Sequence, residues 1–145
     1  MAEIRVERII AAPLEHVFDW VADPAHLTEA RLILWAGWAK GTQAAGLGAV
    51  RNAIAAGMWL REEYTAYDAP RSYSYLIVHS VPALNHDGGT LTLTPSVDGT
   101  HIDWVTAFTH PVWVGGKALE AVTARAIRSG FVEILDSCAK ALETP

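Results

Sequence analysis

The spacing of apolar residues divides the chain into a strand, a helical excursion, a long run of strands and a final helix. "EIRVERIIAA" alternates Ile and Val with charged residues and predicts a strand. Pro13 then opens "PLEHVFDWVAD", where Leu14, Val17, Phe18 and Val21 recur at helical spacing. Asp23-Pro24 ends that helix, "PAHLTEA" predicts a second short one, and "RLILWAGW" predicts a strand closed by Lys40-Gly41. Strand and turn patterns fill the chain from there to Pro111. Beyond Gly115-Gly116, "KALEAVTARAIRSGFVEILDSCAKAL" is one long amphipathic helix. Its predicted buried stripe is Leu119, Thr123, Ala126, Ile127, Gly130, Phe131, Ile134, Cys138 and Ala141, and Asp136 and Lys140 are spaced for an ion pair on the other side. Gly130 in mid-helix costs about 1 kcal/mol relative to alanine, which points to a close approach or a void beneath it.

Turn residues predict strand registers in the middle region. If the strands flanking "DAPR" pair across it, Leu60, Glu62, Tyr64 and Ala66 share an inward face with His79, Ile77, Tyr75 and Tyr73. "VDGT" is the strongest hairpin signal and puts Leu91, Leu93, Pro95, Ile102, Trp104, Thr106 and Phe108 on one face, with a Thr-rich face toward solvent. "GLGAVRNAIAAG" has the glycines of a phosphate-binding loop but neither the G-x-G-x-x-G nor the G-x-x-x-x-G-K-[ST] spacing. With Ala56-Gly57 as a two-residue turn, it becomes a strand in which Arg51 faces Glu62, and Ala49, Ala53 and Ala55 share that face. One strand, two short helices, six further strands in meander order and a long C-terminal helix make an α+β domain, predicted as a single domain over 1–145.

Composition narrows the function classes. A hydrophobic content of 51% with 19% charged residues describes a folded globular chain, and no apolar run is long enough for a membrane span. The net charge is −5 and the basic residues are scattered, so nucleic acid is not an expected partner. One cysteine, Cys138, excludes an internal disulfide, and "MAEIRVER" lacks the apolar core of a signal peptide, so a cytoplasmic location is the default expectation. The six histidines show no H-x-x-x-H or similar ligand spacing, no serine lies in a G-x-S-x-G elbow, and no cofactor motif is present. No metal, cofactor or covalent nucleophile is therefore expected.

"IIAAPLEHVFDWVADP", "GLGAVR", "LREEYTAYDAPRSYSYLIVHSVP", "LTLTPSVDGTHIDWVTAF" and the closing helix, in that order and spacing, resemble the START-like, Bet v 1-like (SRPBCC) superfamily, and within it the polyketide cyclase/dehydrase branch. The resemblance spans nearly the whole chain. It implies the helix-grip fold: a seven-stranded curved antiparallel sheet around the C-terminal helix, with two short helices after strand 1, enclosing an apolar cavity. Members bind lipids, hormones, polyketides or other hydrophobic molecules, and some catalyse cyclisation, aromatisation or dehydration. The tryptophan-serine element that dedicated aromatic polyketide cyclases carry beside a central-strand arginine is not found here, which weakens a specific aromatase reading.

On this frame the leading expectation is a binder of a hydrophobic small molecule, polyketide-like, aromatic or lipidic, held between sheet and helix. The alternative is a cyclase or dehydratase using Glu62, His79 and Tyr75 as acid and base. A third reading is an interaction module with a vestigial cavity; self-association as a homodimer stays open. Candidate ligand contacts are Trp35, Trp38, Arg51, Leu60, Tyr64, Tyr73, Ile77, Trp104, Phe108, Thr123, Ile127 and Phe131. Each has a plainer role beside the functional one. Buried charges usually occur in satisfied pairs, which favours Arg51 and Glu62 as a strand tie over a ligand anchor. His79 near the strand end suits a rim residue bound to water, and aromatics in a sheet more often pack a core than line a cavity. A pocket of roughly 300 to 1,000 Å³ would favour the first two readings, and a space filled by side chains the third.

Overall fold

The computed structural model describes residues 1–143; Thr144 and Pro145 lie outside them. The strands are β1 (Ala2–Ile10), β2 (Ile33–Trp38), β3 (Val50–Ala55), β4 (Met58–Asp68), β5 (Ser72–Val81), β6 (Asn85–Ser96) and β7 (Gly99–Thr109). Helices α1 (Leu14–Ala22) and α2 (Pro24–Leu27) follow β1, and α3 (Gly116–Glu143) closes the chain after a short 3-10 turn at Val112–Val114. One antiparallel sheet of seven strands runs in the order β1-β7-β6-β5-β4-β3-β2 and curls as a half-barrel around α3, the helix-grip arrangement. None of the helices among the described residues is long and apolar enough to cross a membrane.

The β3–β4 hairpin follows its turn chemistry. Ala56 and Gly57 adopt φ of 50° and 78°, the mirror-image turn whose twist suits a hairpin. That fixes Ala55 opposite Met58 and Arg51 opposite Glu62. The β6–β7 hairpin likewise pairs Leu91 with Trp104 and Leu93 with Ile102. Gly99, at φ 136°, is required at its start, because a Cβ there would lie 2.1 Å from the Ile10 carbonyl oxygen.

The buried face of the sheet presents Ile4, Ile10, Tyr64, Tyr73, Leu91, Ile102 and Phe108 to Phe131, Ile134, Leu135 and Cys138 of α3. The helix is anchored at its flank by ion pairs from Arg8 to Asp136 and from Arg31 to Glu133. Its buried stripe departs from the predicted one at the end: Leu135 and Ala139 are buried, and Ala141 is exposed.

β-bulges interrupt the alternation at four places. Register shifts fall between Ile33 and Trp35 in β2, between Arg61 and Glu62 and between Tyr64 and Ala66 in the β4–β5 pair, and between His86 and Gly89 in β6. An extra residue in one strand swaps the face of everything beyond it. Ala66, predicted to face inward, is exposed as a result, and Tyr67 packs against the core instead.

Candidate functional site

A cavity lies between the sheet and α3. Its empty space is about 770 Å³ when the part open to solvent is included, but only about 80 Å³ admits the centre of a water-sized sphere. The smaller volume describes a narrow space that falls short of the roughly 300 to 1,000 Å³ expected for a binding or catalytic pocket, yet is not filled by side chains and has room for several waters. The walls are mostly apolar: Leu27 from α2, Ile33 from β2, Ala53, Ala55 and Ala56 from β3 and its turn, and Ile127, Phe131 and Ile134 from α3.

Gly130 also faces this space, and a Cβ added there would meet nothing within 4 Å. The costly mid-helix glycine thus stands over a void. Gly89 serves Tyr75, its cross-strand partner: a Cβ at Gly89 would lie 2.4 Å from the Tyr75 ring.

Five polar side chains, Arg51, Glu62, Tyr75, His86 and Thr106, reach the cavity wall, and most of their valences are spent inside the protein. The Arg51 guanidinium donates from Nε to Glu62 Oε1 at 2.9 Å and from NH1 to the Tyr64 hydroxyl at 3.0 Å. Arg51 and Glu62 are only 3% and 7% exposed. Burial opposes the Arg51 charge, but the Glu62 carboxylate and the Tyr64 and Tyr73 hydroxyls more than offset it, holding the guanidinium well above its usual range. No protein donor reaches Glu62 Oε2 among the described residues.

The Tyr75 hydroxyl accepts from Trp104 Nε1 at 3.0 Å, and burial, reinforced by the Glu62 charge, raises its titration well above the ordinary phenol value. Tyr75 is therefore a neutral donor and not a general base at neutral pH.

His86 is the fourth. The Ile77 backbone N–H donates to its Nδ1 at 2.9 Å, which leaves Nε2 to carry the proton and donate to Thr106 Oγ1 at 2.7 Å. Thr106 in turn donates to the Gly88 carbonyl at 3.3 Å. Burial pushes His86 below the usual imidazole value, against the opposing pull of Glu62 and Asp87.

Of the residues predicted from sequence, the cavity brings together Arg51, Leu60, Glu62, Tyr75, Ile77, Trp104, Phe108, Ile127 and Phe131. The others lie elsewhere. His79 is exposed opposite Arg61 on the outer face, because the bulge between Ile77 and His79 pushes it through the sheet. Trp35 is 47% exposed and pairs with Ile54 on the outside, moved there by the β2 bulge. Trp38 is half-buried, edge-on to Tyr64 with ring centroids 5.8 Å apart, outside the cavity wall.

Tyr64 and Tyr73 stack on each other at 4.8 Å and donate to the Ala22 and Val21 carbonyls at the C-terminal end of α1. They tie that helix to the sheet and satisfy its orphan carbonyls. Thr123 is hydrogen-bonded at 2.8 Å to His110 Nε2, whose Nδ1 donates to the Ala83 carbonyl. One face of Trp104 is taken by Phe131, with centroids 3.7 Å apart, so it is not a bare stacking platform.

Sequence reasoning missed His86 as a site residue. Strict alternation back from Leu93 and Leu91 passes through Gly89 to Asp87, and the bulge at Gly88 puts His86 inward instead. The Gly88-Gly89 pair was the available signal.

The sequence profile of a family described as "Polyketide cyclase / dehydrase and lipid transport" matches residues 1–143. The chain belongs to the polyketide cyclase / dehydrase and lipid transport family. Solved structures share the family fold at low identity. Protein CV1439 from Chromobacterium violaceum superposes with a TM-score of 0.73 at 19% identity, covering 99% of this chain and 98% of that one. TTHA0849 from Thermus thermophilus gives 0.75 at 18%, covering 96% and 95%. XoxI from Bacillus cereus gives 0.72 at 17%, covering 99% and 96%. Among curated proteins none matches the chain. Family membership carries an association with hydrophobic ligands and with cyclase or dehydrase chemistry, and at these identities the structural likeness carries the fold alone.

Proposed function

We propose that this member of the family binds a slender hydrophobic molecule, polyketide-like, aromatic or lipidic, in the cavity between sheet and α3. The observation that carries the reading is the way the polar wall is used up. Arg51 takes Glu62 Oε1, Ile77 and Thr106 take both nitrogens of His86, and Trp104 donates to Tyr75. What remains for a ligand is one carboxylate oxygen, one phenolic O–H and the Arg51 NH2 group, whose neighbours Nε and NH1 are taken, at the edge of an apolar space. Such a wall orients a carbonyl or hydroxyl, and apolar burial supplies most of the binding free energy.

Acid-base catalysis is the second reading, and Glu62 Oε2 supports it. The imidazole it would need, His79, points away on the outer face, and His86 holds its proton in a closed chain to Thr106 and Gly88.

Native mass spectrometry of gently purified protein, with organic extraction of any bound molecule, tests the binding reading. The wild type is expected to retain or take up one hydrophobic molecule. Gly130→Leu, which sends a side chain into the open space beneath Gly130, is expected to abolish that binding while keeping helix and fold intact. A folded Gly130→Leu variant that binds as the wild type does would refute the cavity as the site.

A further inference from the structure

We propose that the surface groove beside the cavity receives the acidic head group, carboxylate or phosphate, of an amphipathic ligand whose apolar body lies in the cavity. This rests on the binding reading above and adds the chemical class of the ligand. The groove is open, about 430 Å³, and runs between the β3–β4 turn and α3. Its polar lining is Arg31, Arg125 and Ser129.

The groove and the cavity are neighbours residue by residue. Ala56 lines both. Leu32 faces the groove and Ile33 the cavity; Ala126 and Ser129 face the groove, and Ile127 and Gly130 the cavity. A molecule with its apolar part against Ile127 and Gly130 therefore has its polar end within reach of the groove.

Two charges decide the sign of that end. Arg31 donates to Glu133 Oε1 at 2.9 Å, and Glu133 Oε2 accepts from the Leu32 N–H at 3.1 Å, so this arginine is held in place and largely neutralised. Arg125 differs. Arg5, Arg8, Arg31, Arg51 and Arg71 each pair with a carboxylate and Arg128 donates to the Arg5 carbonyl, whereas Arg125, like Arg61 in β4, has no protein partner among the described residues. In a chain of net charge −5, Arg125 is an unpartnered guanidinium in the lining of the groove next to the cavity. Its planar fork suits a carboxylate or phosphate, and Ser129, one helical turn on, supplies a hydroxyl donor on the same side.

The test is calorimetric titration of the full chain with three probes of one tail length: decanoate, monodecyl phosphate and 1-decanol. At low ionic strength at least one anion is expected to bind about tenfold more tightly than decanol, a preference that shrinks as salt screens the exposed site. Which anion gains identifies the head group. Arg125→Gln, a change on an exposed helix face, is expected to bring the anion down to the affinity of decanol and leave decanol unchanged. Equal binding of all three probes by the wild type, or equal weakening of all three by Arg125→Gln, overturns the head-group site and leaves the cavity reading standing. Failure of every probe to bind the wild type overturns both.

Discussion

Replacing Arg51 by Met separates a structural ion pair from a ligand anchor. The guanidinium is 3% exposed, bonded to Glu62 and Tyr64, and lies 5.3 Å and 5.7 Å from the Tyr64 and Tyr75 ring centres. Methionine keeps much of the stem but leaves the Glu62 carboxylate buried without its cation. Breaking one side of a buried pair costs about 3 to 5 kcal/mol, a large share of the roughly 5 to 15 kcal/mol that holds a domain together. With a urea slope of about 2 kcal/mol per molar, the unfolding midpoint should fall by roughly 1.5 to 2.5 M.

Glu62→Leu alone should also be costly, because it strands the guanidinium. The double variant, Arg51→Met with Glu62→Leu, removes both charges from a mainly apolar wall and should recover most of the loss, since well-packed apolar replacements of a buried pair are often neutral or stabilising. The assay is urea denaturation of the four proteins followed by circular dichroism, read as a double-mutant cycle. A loss below about 1 kcal/mol for Arg51→Met, or a double variant less stable than either single one, would refute the reasoning. That outcome would mean the carboxylate is solvated through the cavity, and the anchor role would take precedence.

His86 titrates below its ordinary value because burial disfavours the charged ring, so the unfolded chain binds more protons than the folded one as pH falls past about 6.5. The stability it contributes is complete above that pH and declines below it, by no more than about 1.4 kcal/mol per pH unit; comparing urea midpoints of wild type and His86→Gln from pH 7.5 to 5 checks this, and parallel curves would contradict it. The Cys138 thiol is fully buried on α3 and pushed up to about 12 by burial, so a thiolate-specific reagent should label it only on unfolding, at a rate that rises with urea. Rapid labelling of the native protein would show that α3 opens from the sheet.

Period-two patterning determines which residues face inward only while a ladder is unbroken, and this limits what the sequence can disclose about the site. Arg51 opposite Glu62, Leu91 opposite Trp104 and the solvent-facing threonines follow from turn position and alternation, because the β3–β4 and central β6–β7 ladders run without interruption. The bulges leave almost no trace in residue type: of the four, the one in β6 alone is marked, by Gly88-Gly89. Their consequences concentrate in the cavity, where one carries His79 out and another brings His86 in. The exchange replaces an imidazole expected to stand near Glu62 with one whose nitrogens are both committed to Ile77 and Thr106. A histidine locked in this way shapes and polarises a wall but has no lone pair to offer a substrate until the Ile77 bond to Nδ1 breaks. The irregularities in the strands, more than the apolar pattern itself, therefore decide which polar groups the cavity wall has left to offer.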